Sequence, residues 1–80
     1  MKAIVNVRLK EGVLDPQGKA VHHALGALGF KDVNSVRIGK QIVLDLESKD
    51  EKTAKEEVEN MCKELLANTV IEDYSVEMLS

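Results

Sequence analysis

Gly12-Val13-Leu14-Asp15-Pro16-Gln17-Gly18 turns the chain from a strand into a helix. Asp15 is a good N-cap, because its carboxylate can accept a free backbone N–H. Pro16 suits the first helical turn, where its missing N–H costs nothing. Before this stretch, residues 2–9 alternate. Ala3, Val5, Val7 and Leu9 share one side of a strand, and Ile4, Asn6 and Arg8 share the other. After it, residues 16–28 have helical spacing, with Val21, Ala24, Leu25 and Leu28 in one apolar stripe. Gly29 stands where a left-handed C-terminal cap is expected.

Further along, residues 33–38 and 41–47 read as two strands around Gly39-Lys40, a two-residue link that favours a tight hairpin. Ser48-Lys49-Asp50-Glu51 fits a capping box. Ala54, Val58, Met61, Cys62 and Leu65 give the core stripe of a second helix ending near Asn68. Tyr74, Val76 and Met78 alternate in a last strand. The order β-α-β-β-α-β, with right-handed crossovers, predicts an α+β, ferredoxin-like plait. Its four-stranded antiparallel sheet would carry two helices on one face. Ile4, Val43, Arg8 and Asp45 would lie on the other face, with Arg8 and Asp45 as a pair. That mixture suits a subunit contact better than open solvent, so self-association is expected.

The chain has 80 residues, enough for a single domain over 1–80. So short a domain has a thin stability margin, for which self-association is a common remedy. Only Phe30 and Tyr74 are aromatic, so the core is aliphatic. The net charge of −3 comes from 11 basic and 14 acidic side chains spread along the chain. A nucleic-acid or membrane-surface binder would gather positive charge into a patch. RNA binding by this plait also needs strand aromatics, and the strands offer only Tyr74. No apolar run is long enough to span a bilayer, and Asn6 and Arg8 interrupt any signal-like start. A cytoplasmic location is expected.

The reactive residue types are poorly placed for chemistry. His22 and His23 are adjacent on a helix, about 100° apart, and cannot grip one ion together. They read as surface histidines. Cys62 falls on a core stripe and reads as a small apolar filler. The helix start at Asp15 already carries a carboxylate, so it reads as a cap rather than an anion cradle. Gly12 and Gly18 read as turn and helix-entry residues. The acidic stretch Glu51–Glu64 is the outer face of a helix, with no carboxylate pair in an apolar setting. Residue reading alone leaves a small-molecule sensing domain, an accessory subunit and an oligomer-forming adaptor open.

In combination, several stretches narrow this choice. Val5-Asn6-Val7 with Leu9-Lys10, the Gly12–Gly18 stretch, and Ala24-Leu25 with Leu28-Gly29-Phe30 occur in order. Val36-Arg37-Ile38-Gly39-Lys40, Met61-Cys62, Leu65-Leu66-Ala67-Asn68 and Val70-Ile71-Glu72-Asp73-Tyr74 follow. Taken together, over nearly the whole chain, they resemble the PurS family. This is the small subunit of phosphoribosylformylglycinamidine (FGAM) synthase in de novo purine synthesis. The resemblance implies a non-catalytic homodimer or tetramer bridging a glutaminase subunit (PurQ) and an ATP-dependent synthetase subunit (PurL) and aiding ammonia transfer. It implies no cofactor on this chain, while the complex uses ATP and magnesium. The chain departs from the family at Thr69, where proline is usual after the asparagine. Asp15, Gln17, Arg37 and Lys40 are the expected partner contacts. The rival reading is a stand-alone amino-acid-sensing domain of the same βαββαβ plan, its ligand held by the Gly12–Gly18 turn. An acylphosphatase-type hydrolase would need an arginine between Glu11 and Gly18, and none is there.

Overall fold

A computed structural model describes residues 1–47 and 49–79. The chain runs β1 (Lys2–Leu9), α1 (Pro16–Ala27), β2 (Gly39–Asp45), α2 (Glu51–Met61), a π-helical turn (Cys62–Leu66) and β3 (Glu72–Leu79). β1 is central, with β2 and β3 antiparallel on either side. The alternation in β1 sorts its side chains as expected. Ala3, Val5 and Val7 are buried, and Asn6 and Arg8 are exposed. Val58 and Cys62, four residues apart on α2 and its continuation, cluster with that buried row in an aliphatic core, and Ala54, one turn earlier, is also fully buried.

The described residues form three strands, not the four expected. Residues 33–38 pair with no strand, and they run into β2 without a turn or bend. A tight Gly-X hairpin needs positive φ at its glycine, and among the described residues only Gly12 and Gly29 have it. Gly39 instead pairs with Arg8 as the first residue of β2.

The two helices also differ from the expectation that both would cover one sheet face. α2 packs on the sheet. α1 buries only Gly18, and Val21 and Leu28 of its apolar stripe are exposed. The Cα radius of gyration, 16.0 Å, exceeds the roughly 12 Å of a compact 80-residue domain.

Three local readings change as well. Asp50 caps α2, accepting from the Lys52 N–H and the Thr53 hydroxyl. Ser48 of the expected capping box lies outside the described residues. The π-helical turn, closed by the Ala67 N–H donating to the Cys62 carbonyl at 2.9 Å, adds a residue to the last turn. It turns Leu65 outward, and Leu66 and Ala67 join the core in its place. Finally, the register sets Arg8 opposite Asp73 and Asp45 opposite Lys2. The expected Arg8–Asp45 pair does not form, because the two residues lie at opposite ends of the sheet.

Candidate functional site

Three of the four residues expected to contact partners meet around one groove, where β1 ends and α1 and β2 begin. The groove holds about 250 Å³ and is lined by Arg8, Asp15, Gln17, Gly39, Lys40 and Glu72 among others. Arg37 lies on the neighbouring surface with Arg8, Glu11 and Asp73.

Asp15 shapes this end of the molecule. Pro16 starts the helix, and the Asp15 carboxylate accepts from the Gly18 N–H at 2.8 Å, as a cap should. Its other oxygen accepts from the Ile38 N–H at 2.8 Å, tying the helix start to the strand entering β2. These two bonds, with the nearby Arg37 charge, hold the carboxyl below its ordinary range against the opposing effect of burial. The Arg37 guanidinium donates to the carbonyls of Val13 and Lys10, both at 3.0 Å. The loop between β1 and α1 is therefore pinned from two sides. Gly18 completes the contact, since a Cβ there would collide with the Val36 carbonyl oxygen.

Gln17 and Lys40 are exposed, and their side chains make no hydrogen bond among the described residues. They are the two of the four whose polar ends are open to another molecule. The sequence pointed to Asp15 through its capping position. It carried no sign of the long-range bond to Ile38, nor of Arg8 and Glu72 as neighbours in the groove. Those follow from strand register alone.

A groove of about 640 Å³ along α1, beside Lys19, His22, His23, Phe30 and Lys31, offers no paired acid and base. His22 is half-buried rather than a surface residue, and its Nε2 lies 2.7 Å from the Val33 carbonyl. Cys62 is fully buried, and burial, with Glu59 nearby, pushes its thiol up. No group of three His, Cys, Asp or Glu among the described residues is placed to hold a metal ion. Among the described residues, no helix is long and apolar enough to cross a membrane. The site presents shape and a few open polar groups.

Comparison with known proteins agrees with this picture. Residues 2–80 match the family model "PurS: Phosphoribosylformylglycinamidine (FGAM) synthase". The chain is 48% identical over 77 residues to the FGAM synthase subunit PurS of Methanocaldococcus jannaschii, covering 96% of this chain and 93% of that one. It is 52% identical to the Bacillus subtilis subunit, covering 96% and 90%. The crystal structure of the M. jannaschii protein superposes with a TM-score of 0.86 at 47% identity, over 95% of this chain and 92% of that one. A chain in the structure of PurLQS from Thermotoga maritima gives a TM-score of 0.88 at 35% identity, over 98% and 95%. Sequence and fold agree from end to end, and the chain belongs to the PurS family.

Proposed function

We propose that this protein is the small, non-catalytic subunit of an FGAM synthase complex. It holds the glutaminase subunit (PurQ) and the synthetase subunit (PurL) together so that ammonia passes between them. The match over residues 2–80 carries this reading, and the PurLQS structure from a 35% identical relative supports it. The physical logic is consistent. Ammonia takes up a proton in water at neutral pH and loses its nucleophilicity, so a water-poor route between two sites preserves it. That work needs complementary rigid surfaces, and the pinned loop at Asp15 and Arg37 supplies one.

Gln17 and Lys40 contact the larger subunits directly in this reading, and Asp15 and Arg37 fix the surface that presents them. ATP and magnesium belong to the synthetase subunit. The chain works as a homodimer or tetramer with a four-stranded, ferredoxin-like layer, in the cytoplasm. The amino-acid-sensing alternative has no support in the family match.

The test is reconstitution. The chain is mixed with the glutaminase, the synthetase, glutamine and Mg-ADP, and association is read by co-purification. Glutamine-dependent product formation is then assayed with ATP. Both are expected to require the small subunit, and Lys40→Glu is expected to weaken the association. Equal association and turnover without the small subunit would falsify the proposal.

A further inference from the structure

Charge is unevenly placed along this chain. It has 14 acidic side chains, yet residues 16–31 include none. The groove of about 640 Å³ along α1 is built mainly from that stretch, and no acid lines it. Lys19, His22, His23, Gly26 and Ala27 share this face of α1 at helical spacings of three and four. Val21, Leu25 and Leu28 lie on the opposite side. Phe30, Lys31 and Val33 close the groove at the end of the helix.

The groove has three unlike parts along its length. Basic side chains stand at one end. Lys19 and His23, one turn apart, are exposed, and their side chains have no hydrogen bond or ion pair among the described residues. His22 beside them is held in place, its Nε2 2.7 Å from the Val33 carbonyl. A carbonyl only accepts, so Nε2 carries the proton. The middle is a bare floor, where a Cβ on Gly26 would meet nothing within 4 Å and Ala27 adds one methyl. At the other end Phe30, one of two aromatic residues in the chain, is 60% exposed. The neighbouring acids do not cancel the basic end. Asp15 lines the adjoining recess with Lys19 and His22, but its oxygens accept from the Gly18 and Ile38 N–H groups. Asp32 is exposed and does not line the groove.

We propose that this groove binds a nucleoside di- or triphosphate. The phosphates lie between Lys19 and His23, the ribose over Gly26 and Ala27, and the base on the Phe30 ring, with Lys31 beside it. The order of basic groups, open floor and aromatic ring is the order of phosphate, sugar and base. From Lys19 to Ala27 the helix rises about 12 Å, too far for a lone phosphate to span. The volume falls within the roughly 300–1,000 Å³ of small-molecule sites. An acidic peptide would use the basic end but would give the exposed ring nothing to stack on. The nucleotide is a ligand of this chain, separate from the ATP that the synthetase consumes, and its site is not the Gly12–Gly18 turn.

The test uses the full chain alone, so its failure leaves the proposed role in the complex untouched. Magnesium-free ADP, pyrophosphate and a glutamate-only peptide are each titrated into the isotope-labelled protein and read by amide NMR. ADP is expected to give saturable shifts centred on Lys19, His23, Gly26 and Phe30. It should bind at least ~5-fold tighter than pyrophosphate or the peptide, the least that stacking a base on an aromatic ring provides. Phe30→Ala is expected to remove that advantage and leave pyrophosphate binding unchanged. Gly26→Leu fills the open floor without touching Phe30 and should do the same. The double variant Lys19→Glu/His23→Glu should lose both ligands. Shifts that never saturate, or that centre elsewhere, would overturn the site. Pyrophosphate or the peptide binding as tightly as ADP would reduce the groove to a charged surface and overturn the nucleotide. Full ADP affinity in folded Gly26→Leu would overturn it as well.

Discussion

The Asp15 carboxylate accepts the backbone N–H of Ile38, 23 residues away, at 2.8 Å, while its second oxygen caps the helix at Gly18. One side chain thus sets both the start of α1 and the entry to β2. Both bonds favour the charged form, so the folded-state pKa lies below the ordinary 3.8. The stabilisation is complete above pH 3.8 and is lost as pH falls through the lower folded-state value. Asp15→Asn replaces an acceptor with an amide that faces one N–H with its own donors. At pH 7 and fixed chain concentration, its melting temperature is expected to fall below that of the original. The gap should narrow as pH drops below 3.8. A gap that stays constant from pH 7 to pH 3 would show that the charge on Asp15 has no part in it.

Gly18 tests the same junction by shape. In a helix interior, alanine is favoured over glycine by about 1 kcal/mol. Here the added Cβ meets the Val36 backbone oxygen and lies 2.9 Å from the Asp15 carboxylate, and backbone cannot swing away. Overpacking of this kind costs ~1–3 kcal/mol, so the steric effect wins. Gly18→Ala is expected to destabilise the protein in chemical denaturation. Gly26→Ala, where a Cβ meets nothing within 4 Å, should be neutral or stabilising by up to about 1 kcal/mol. If both variants gain stability, the contact between helix and strand entry is looser than described.

These junctions mark the border of what the sequence reveals. The β1 alternation and the Ala54/Val58/Cys62 spacing are local periods tied to one buried face, and the structure follows them. The Asp15 cap is equally local. Residues 33–38 have the apolar alternation of a strand, but they pair with no strand here, and a strand pattern does not say whether a neighbour is present. Gly39-Lys40 fits a tight turn or a straight strand start, and no short-range signal separates the two. Leu65 fails for another reason, since one extra residue in a π turn shifts the apolar phase without leaving a mark in composition. At the groove, Gln17 and Lys40 are expected from the sequence only as partner contacts, and their exposure is seen in the structure. The three-way anchoring of Arg37, Asp15 and Ile38 depends on distances across 23 or more residues.

Cys62 should behave as core, not as chemistry. It is fully buried, and burial raises its thiol pKa, with Glu59 adding to the effect. Less thiolate and no access both slow alkylation. The native protein is expected to resist a thiol reagent at pH 8 and to react fully once denatured. Cys62→Ser puts a hydroxyl into an aliphatic cluster and should cost about 1–3 kcal/mol. Prompt labelling of the native protein would mean that α2 opens far more readily than its packing implies.

Thr69 has the clearest opportunity for stabilisation. The Ile71 N–H donates to the Asn68 carbonyl at 3.1 Å, which places Thr69 second in a four-residue turn. The Asn68 side chain accepts from the Val70 N–H at 3.1 Å, and its backbone N–H donates to Glu72 at 2.6 Å. No described non-glycine residue has positive φ, which excludes types II, I′ and II′ and, with the Asn68–Ile71 bond, leaves a type I geometry, in which the second position favours proline. Thr69 uses no hydrogen bond of its own among the described residues. Thr69→Pro therefore removes freedom mainly from the unfolded chain, and should stabilise by about 0.4–1 kcal/mol. The denaturant midpoint is expected to rise with an unchanged slope. A fall would mean that the Asn68 backbone, restricted by the following proline, cannot keep its bonds to Glu72 and Val70.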